Sequence, residues 1–268
     1  MNPVPSHLVA TEPVAEVGCK SPNSRKLPPR VLDVGEAGEA CDPYLYVPES
    51  SHKSKYVALS YCWGEDTGAF VTTTNSNLQE RRAGISLQSL PTALREAVYL
   101  TRRLGIRYLW IDALCIIQGD EADWTSNAAR MDEIYGNATL TIAAASAASC
   151  GQGTLQERLL SHRYLSVGTE YMTWQCPTQT EARQPGFSEG ESPSGQFSLR
   201  TYHLFSSLGD PFGLWCRVVI DYSSRYLTNE GDKLAALSGV AKVIHTHTGD
   251  QYLAGLWRKN ILQMLLWQ

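Results

Sequence analysis

The sequence first becomes regular at residues 56–61, where the apolar run YVALSY is followed by Cys62, Trp63 and the turn-prone GEDTGAFVTTTNSN. β-Branched and aromatic residues giving way to Gly, Asp, Thr and Asn predict a strand that ends in a loop. A helix comes next. Ser89 stands as its N-cap and Pro91 near its first turn, and Leu90, Leu94, Val98, Thr101 and Leu104 recur near the helical period before Gly105. After Gly105 the run IRYLWIDALCII, residues 106–117, is almost wholly apolar. Its length and composition predict a strand buried on both faces, as in a helix-covered parallel sheet. Only Asp112 breaks it.

A polar loop from Gln118 to Asp123 follows, with Asp123 as cap of a helix over Trp124, Ala128, Met131, Ile134 and Tyr135 that stops at Gly136-Asn137. ATLTIAAAS, residues 138–146, reads as a further strand. Strands alternating with helices predict a mostly parallel, doubly wound α/β domain.

Residues 1–54 carry Pro and Ser clusters and a short candidate strand at Val31 to Val34, so they read as an N-terminal arm lying on a core of residues 55–165. Residues 166–268 form a less regular α+β extension. In it YMTWQC at 171–176 reads as a strand, and residues 184–196 as a mobile, Ser/Gly/Pro-rich loop. Helical spacing returns after Asp232 at Leu234, Leu237, Val240, Ala241 and Ile244, and again in GLWRKNILQMLLW.

Composition narrows the function classes. The 268 residues are 43% hydrophobic and 19% charged, with a formal net charge of -4, and the basic residues are scattered. That balance disfavours nucleic-acid binding. No apolar run approaches a bilayer span and the N-terminus has no secretory pattern, so no membrane contact and a cytoplasmic location are expected. Seven widely spaced cysteines without a CxxC pair, and one close histidine pair at His245 and His247, signal neither a disulfide framework nor a metal site.

Several blocks resemble a known family. YVALSYCWG, LPTALREAVYLTRRLGIRYLWIDALCIIQ, Asp123-Trp124 followed by M-x-x-IY-x-NA, and TLQERLLSHR are similar to the blocks of the fungal heterokaryon-incompatibility (HET) domain. YSSRYLTNEGDKLAALSGVA and YLAGLW resemble the region that follows them. The resemblance implies fungal self/non-self recognition, programmed cell death, and protein partners or self-association. The family is also remotely similar to TIR domains, which implies a TIR/flavodoxin-like sheet flanked by helices and, as some TIR domains cleave NAD with a helix glutamate, NAD as a candidate substrate. No cofactor is implied.

On that resemblance, Asp112, Asn127 and Glu133 are the candidate catalytic residues, and Tyr61, Trp63, Gly64, Glu65, Asp66 and Trp124 the candidate ligand contacts. The family's helix after Asp-Trp tends to carry a glutamate where this chain has Thr125, Ser126 and Asn127. An amide can bond a ribose hydroxyl but cannot act as a base or stabilise an oxocarbenium-like centre, so weak or lost chemistry is expected. A non-catalytic interaction module and a recruited metabolic enzyme are the alternatives. The resemblance also implies a longer Gly-rich connection between Cys150 and Thr154, and further chain after Gln268.

From the residues alone, Asp112 either contacts ligand at a strand end, caps a nearby loop, or pairs with an arginine such as Arg107 or Arg130. Cys62 and Cys115 read better as small buried hydrophobes than as nucleophiles. Glu157 and Arg158 read as packing at the junction of the two halves, and His162 as a weaker general-base candidate.

Overall fold

The structure is a computed structural model, and it describes residues 24–39, 41–61, 71–144, 155–168, 172–176, 179–183, 210–223 and 233–265. Two short strands, β1 (Arg25–Lys26) and β4 (Lys53–Ser54), pair with each other. The main sheet has eight strands: β2 (Val31–Asp33), β3 (Tyr44–Tyr46), β5 (Tyr56–Tyr61), β6 (Tyr108–Ile111), β7 (Leu140–Ala144), β8 (Tyr164–Val167), β9 (Met172–Cys176) and β10 (Gln179–Arg183). Their spatial order is β10-β9-β8-β7-β5-β6-β2-β3. The four central strands are parallel, and both flanks are antiparallel.

β5, β6 and β7 are mostly apolar because they are covered on both faces. Val57, Ala58 and Leu59 of β5, and Leu109, Trp110 and Ile111 of β6, are at most 1% exposed. The helices are α1 (Leu78–Ala83), α2 (Thr92–Arg103), α3 (Asp112–Cys115), α4 (Glu121–Ala128), α5 (Met131–Asn137), α6 (Leu155–Leu160), α7 (Pro211–Ser223), α8 (Lys233–Thr248) and α9 (Ile261–Leu265). A hairpin of β11 (Tyr252–Leu253) and β12 (Leu256–Trp257) follows α8. The result is a mixed α/β fold around a mostly parallel sheet. A second apolar cluster unites Leu214, Trp215 and Val218 of α7, Val240 and Ile244 of α8, Trp257 and Leu159 of α6.

Five expectations need correction. The run 106–117 is not one strand: it leaves the sheet after Ile111 and makes one helical turn from Asp112 to Cys115. The Asp112 carboxylate accepts from the Ala113 N–H at 2.7 Å, an alternative to the ladder that short acidic side chains offer. Ile117 then makes an isolated parallel bridge to Thr73.

The helix expected over 124–135 is two. Arg130 N–H bonds three residues back to the Asn127 carbonyl, and φ −114°, ψ 8° at Arg130 breaks the spiral before α5. Asp120, not Asp123, caps α4, its side chain accepting from the Asp123 N–H. Ser89 does not cap α2. It closes a 3-10 turn over Leu87–Ser89, its hydroxyl donating to the Ser86 carbonyl, and Pro91 takes the cap position.

The N-terminal segment supplies β2 and β3 to the sheet itself rather than lying on it. Val31, Leu32 and Leu45 are buried there, and Asp33 is 2% exposed. That buried charge is compensated. Arg107 Nε donates to both carboxylate oxygens at 3.0 and 2.9 Å, Tyr44 donates its hydroxyl at 2.9 Å, and the Gly35 N–H donates at 3.0 Å. Arg107 is therefore engaged by Asp33, on the adjacent antiparallel strand. The expected loop at 184–196, the connection at 150–154 and the residues after Leu265 lie outside the described residues.

Candidate functional site

Parallel α/β sheets bind ligands beyond the carboxyl ends of their strands, where the strand order reverses and the crossover helices part. In order of appearance, the four parallel strands here run second, first, third, fourth, so the reversal falls between β5 and β7. Tyr61 ends β5, and Asp112 follows the last residue of β6 beside it. The two meet electrostatically. Burial first, and then the Asp112 charge, raise the Tyr61 hydroxyl above the ordinary tyrosine range, so Tyr61 is a hydrogen-bond donor at neutral pH.

The scaffold under Asp112 is held from two sides. Thr73, fully buried, donates its N–H to the Ala113 carbonyl at 3.0 Å and its hydroxyl to the Leu114 carbonyl at 2.7 Å. On the other side Arg30 Nε donates to the Cys115 carbonyl at 2.7 Å, and its guanidinium pairs with Asp123. Asp123 also accepts from the Ile117 N–H at 2.8 Å, which ties the start of α4 to the segment leaving α3. Neither clamp was legible as function: Thr73 lies in a run of threonines, and Arg30 follows a Pro-Pro pair that reads as loop.

Cys115 lies inside this scaffold, 1% exposed, with its sulfur accepting from the Ile111 N–H at 3.4 Å. Burial pushes its thiol up to about 12, so it stays protonated and inert at neutral pH. It is a core residue.

The other candidates are spread along α4 and α5. Asn127 is 1% exposed; its amide donates to the Asp123 carbonyl at 2.8 Å, and its Oδ1 has no hydrogen-bond partner among the described residues. Trp124 is 43% exposed on the same helix. Glu133 points elsewhere. It and Asp132 lie in the first turn of α5 and face Lys242 of α8, with Lys242 Nζ 2.8 Å from Asp132 and 3.8 Å from Glu133. The structure thus brings Tyr61 and Asp112 together, buries Asn127 in α4, and engages Glu133 with α8.

Cys62, Trp63, Gly64, Glu65 and Asp66 lie outside the described residues. His162 is exposed. Among the described residues no three His, Cys, Asp or Glu side chains gather as a metal site, and no helix is long and apolar enough to cross a membrane.

Behind Asp112, Trp110 is fully buried and packs edge-on against Tyr135 of α5 at 5.6 Å between ring centroids. Tyr56 donates its hydroxyl to the Ile134 carbonyl, fixing α5 to the first residue of β5. On α6, Arg158 Nε donates to Gln175 Oε1 at 2.6 Å and its guanidinium lies 5.6 Å from the Tyr164 ring centre.

Comparison with known proteins completes this picture. No solved structure matches the chain. A curated relative, heterokaryon incompatibility protein 6 (OR allele) of Neurospora crassa, is 32% identical over 117 residues, which cover 41% of this chain and 17% of that protein. The chain therefore spans about a sixth of the length of that relative. The model of the heterokaryon incompatibility protein family matches residues 56–194, a span that begins at β5 and contains Tyr61, Asp112, Asn127 and the TLQER block. With more than half of its length matched, this chain belongs to the heterokaryon incompatibility (HET) family.

Proposed function

We propose that this chain acts in heterokaryon incompatibility, the fungal discrimination of self from non-self, as a cytoplasmic signalling domain that leads to growth arrest and cell death. In this reading it works with protein partners or copies of itself, and it cleaves NAD slowly at the edge where β5 and β6 end. The observation that carries the chemical part is the placement of Tyr61 and Asp112 at the carboxyl ends of adjacent parallel strands, beside the reversal of strand order. The order of the parallel strands is that of flavodoxin-like sheets, which supports the TIR-like reading.

A phenol donor beside a carboxylate suits a ribosyl pyridinium ligand. The hydroxyl can hold a ribose or carboxamide oxygen, and the carboxylate favours the cationic ring and the oxocarbenium-like centre that forms as the glycosidic bond lengthens. Slow turnover follows from α4. Its carboxylates are Glu121 and Asp123; Asp123 is committed to Arg30 and Ile117, and the inward position holds neutral Asn127. Losing one well-placed charge typically costs about 2.7–4 kcal/mol of transition-state stabilisation, on the order of a hundredfold or more in rate.

Incubating the purified chain with NAD is expected to release nicotinamide slowly. Asp112→Asn keeps a side-chain acceptor for the Ala113 N–H and should lower the rate about tenfold or more with little change in melting temperature. Turnover untouched by that substitution contradicts the assignment of this edge.

A further inference from the structure

A turn of the chain puts Asp112 at the edge, in a run of residues that a strand would bury equally well. β6 pairs with β5 only as far as Leu59 and Ile111, whereas β5 runs on beside β7 to Tyr61 and Ala144. The β6 side of β5 is therefore open along Ser60 and Tyr61. Continued in the same register, Asp112 would lie beside Ser60 and Ala113 beside Tyr61. With the strand's period of two, the Asp112 side chain would then share the face of Trp110, under α5. On the other flank the antiparallel register with β2 would set Asp112 and Ala113 against Pro29 and Pro28, which have no N–H to give. The extended path is thus partnered on one side and bare on the other.

The turned path is held from outside itself. One helical turn leaves its carbonyls short of donors, and Ala113, Leu114 and Cys115 are buried beyond the reach of bulk water. The Asp112 carbonyl accepts the Ile116 N–H at 3.0 Å. Thr73 supplies the next two: its N–H donates to the Ala113 carbonyl at 3.0 Å and its hydroxyl to the Leu114 carbonyl at 2.7 Å. Arg30 Nε donates to the Cys115 carbonyl at 2.7 Å. Gln118 completes the set, its side-chain amide donating to the Ile116 carbonyl at 3.1 Å and its N–H to the Thr73 carbonyl at 2.7 Å. The N–H, the hydroxyl and the carbonyl of Thr73 are all engaged by this turn and its exit.

We propose that Thr73 is a positioning residue of the candidate site: it selects the turn over the strand continuation at 112–115 and so delivers the Asp112 carboxylate to the edge beyond β5 and β6. Its effect on chemistry rests on the NAD-cleaving reading, and its effect on the path of the chain does not. Thr73 is fully buried and acts through Asp112. It lies on the connection that leaves β5 at Tyr61, so the segment that follows one strand of the site braces the turn that follows the other.

The test compares the full chain with Thr73→Val, which loses the hydroxyl at nearly constant shape, with Thr73→Ser, which keeps it, and with Gln118→Leu. Amide hydrogen exchange over 112–118 is read against that of α2, together with nicotinamide release from NAD. Thr73→Val is expected to speed exchange of the Ile116 and Gln118 amides about tenfold or more with α2 unchanged. It is also expected to lower kcat about tenfold while KM stays within about threefold, because a displaced carboxylate is missed most in the transition state. Thr73→Ser should restore both. Gln118→Leu, at a partly exposed position, should speed the same amides about threefold, and it carries the test if Thr73→Val does not fold.

Parental exchange over 112–118 in Thr73→Val, or in Gln118→Leu where the valine variant does not fold, overturns the assignment. Equal acceleration in α2 and the turn makes Thr73 a contributor to general stability and overturns it as well. Locally faster exchange with parental kcat breaks the link from the turn to the chemistry. A parent that releases no nicotinamide overturns the NAD-cleaving reading, and the exchange pattern then decides alone: local acceleration in Thr73→Val, reversed in Thr73→Ser, upholds Thr73 as the residue that sets the turn.

Discussion

Asp123→Ala is expected to destabilise the chain by about 3–5 kcal/mol, measured as a lowered urea midpoint with an unchanged denaturant slope. The Arg30–Asp123 pair is mostly enclosed, its side chains 13% and 18% exposed, and the carboxylate also accepts the Ile117 N–H. Removing it strands a guanidinium that still donates to the Cys115 carbonyl, and it leaves a backbone donor unpaired. A paired variant that also replaces Arg30 with Met should recover part of the loss, because a stranded charge costs more than the absence of both partners. A change below about 1 kcal/mol would mean that this clamp is solvated and does not hold α4 to α3.

The second large effect is expected from Trp110→Ala, at about 3–5 kcal/mol. Trp110 is fully buried on β6, two residues before Asp112, and its ring meets Tyr135 edge to face. Deleting the indole opens a cavity between the sheet and α5, and with it the wall behind the candidate site. Trp110→Phe should cost less, since an aromatic edge for Tyr135 is kept. Thermal unfolding of the three forms, with near-ultraviolet circular dichroism to report the packing of Tyr135, decides it. Equal melting temperatures would place the weight of this face on other residues.

Both effects fall on ground that was only partly legible in the sequence. β5 and α2 were legible because their signals are local. Five consecutive buried residues in Tyr56–Ser60 read as a covered strand, and Leu94, Val98 and Thr101 fall on one buried helix face. The turn at Asp112 was not. Ala113, Leu114 and Cys115 are buried in a one-turn helix as they would be in a strand, so apolarity carries no information about which was formed. β2 was legible as the short candidate strand at Val31 to Val34, whereas β3, three residues beside prolines, has too few for a period to show.

The candidate site divides in the same way. Tyr61 was legible as a polar residue at the end of an apolar run, and Asp112 as the one charge inside another. Asn127 was noticed through the missing acid, though its burial could not be read. Glu133 fits the helical spacing, yet it faces Lys242, more than a hundred residues on, and no local pattern reports such a partner.

Growth tests the account most directly. The chain is expressed from an inducible promoter in a fungus that lacks an incompatible partner, beside Asp112→Asn at equal protein level and equal melting temperature. The parent is predicted to arrest growth and the Asp112→Asn strain to grow on, because the edge beyond β5 and β6 carries the signal. Arrest by both strains alike would contradict that claim.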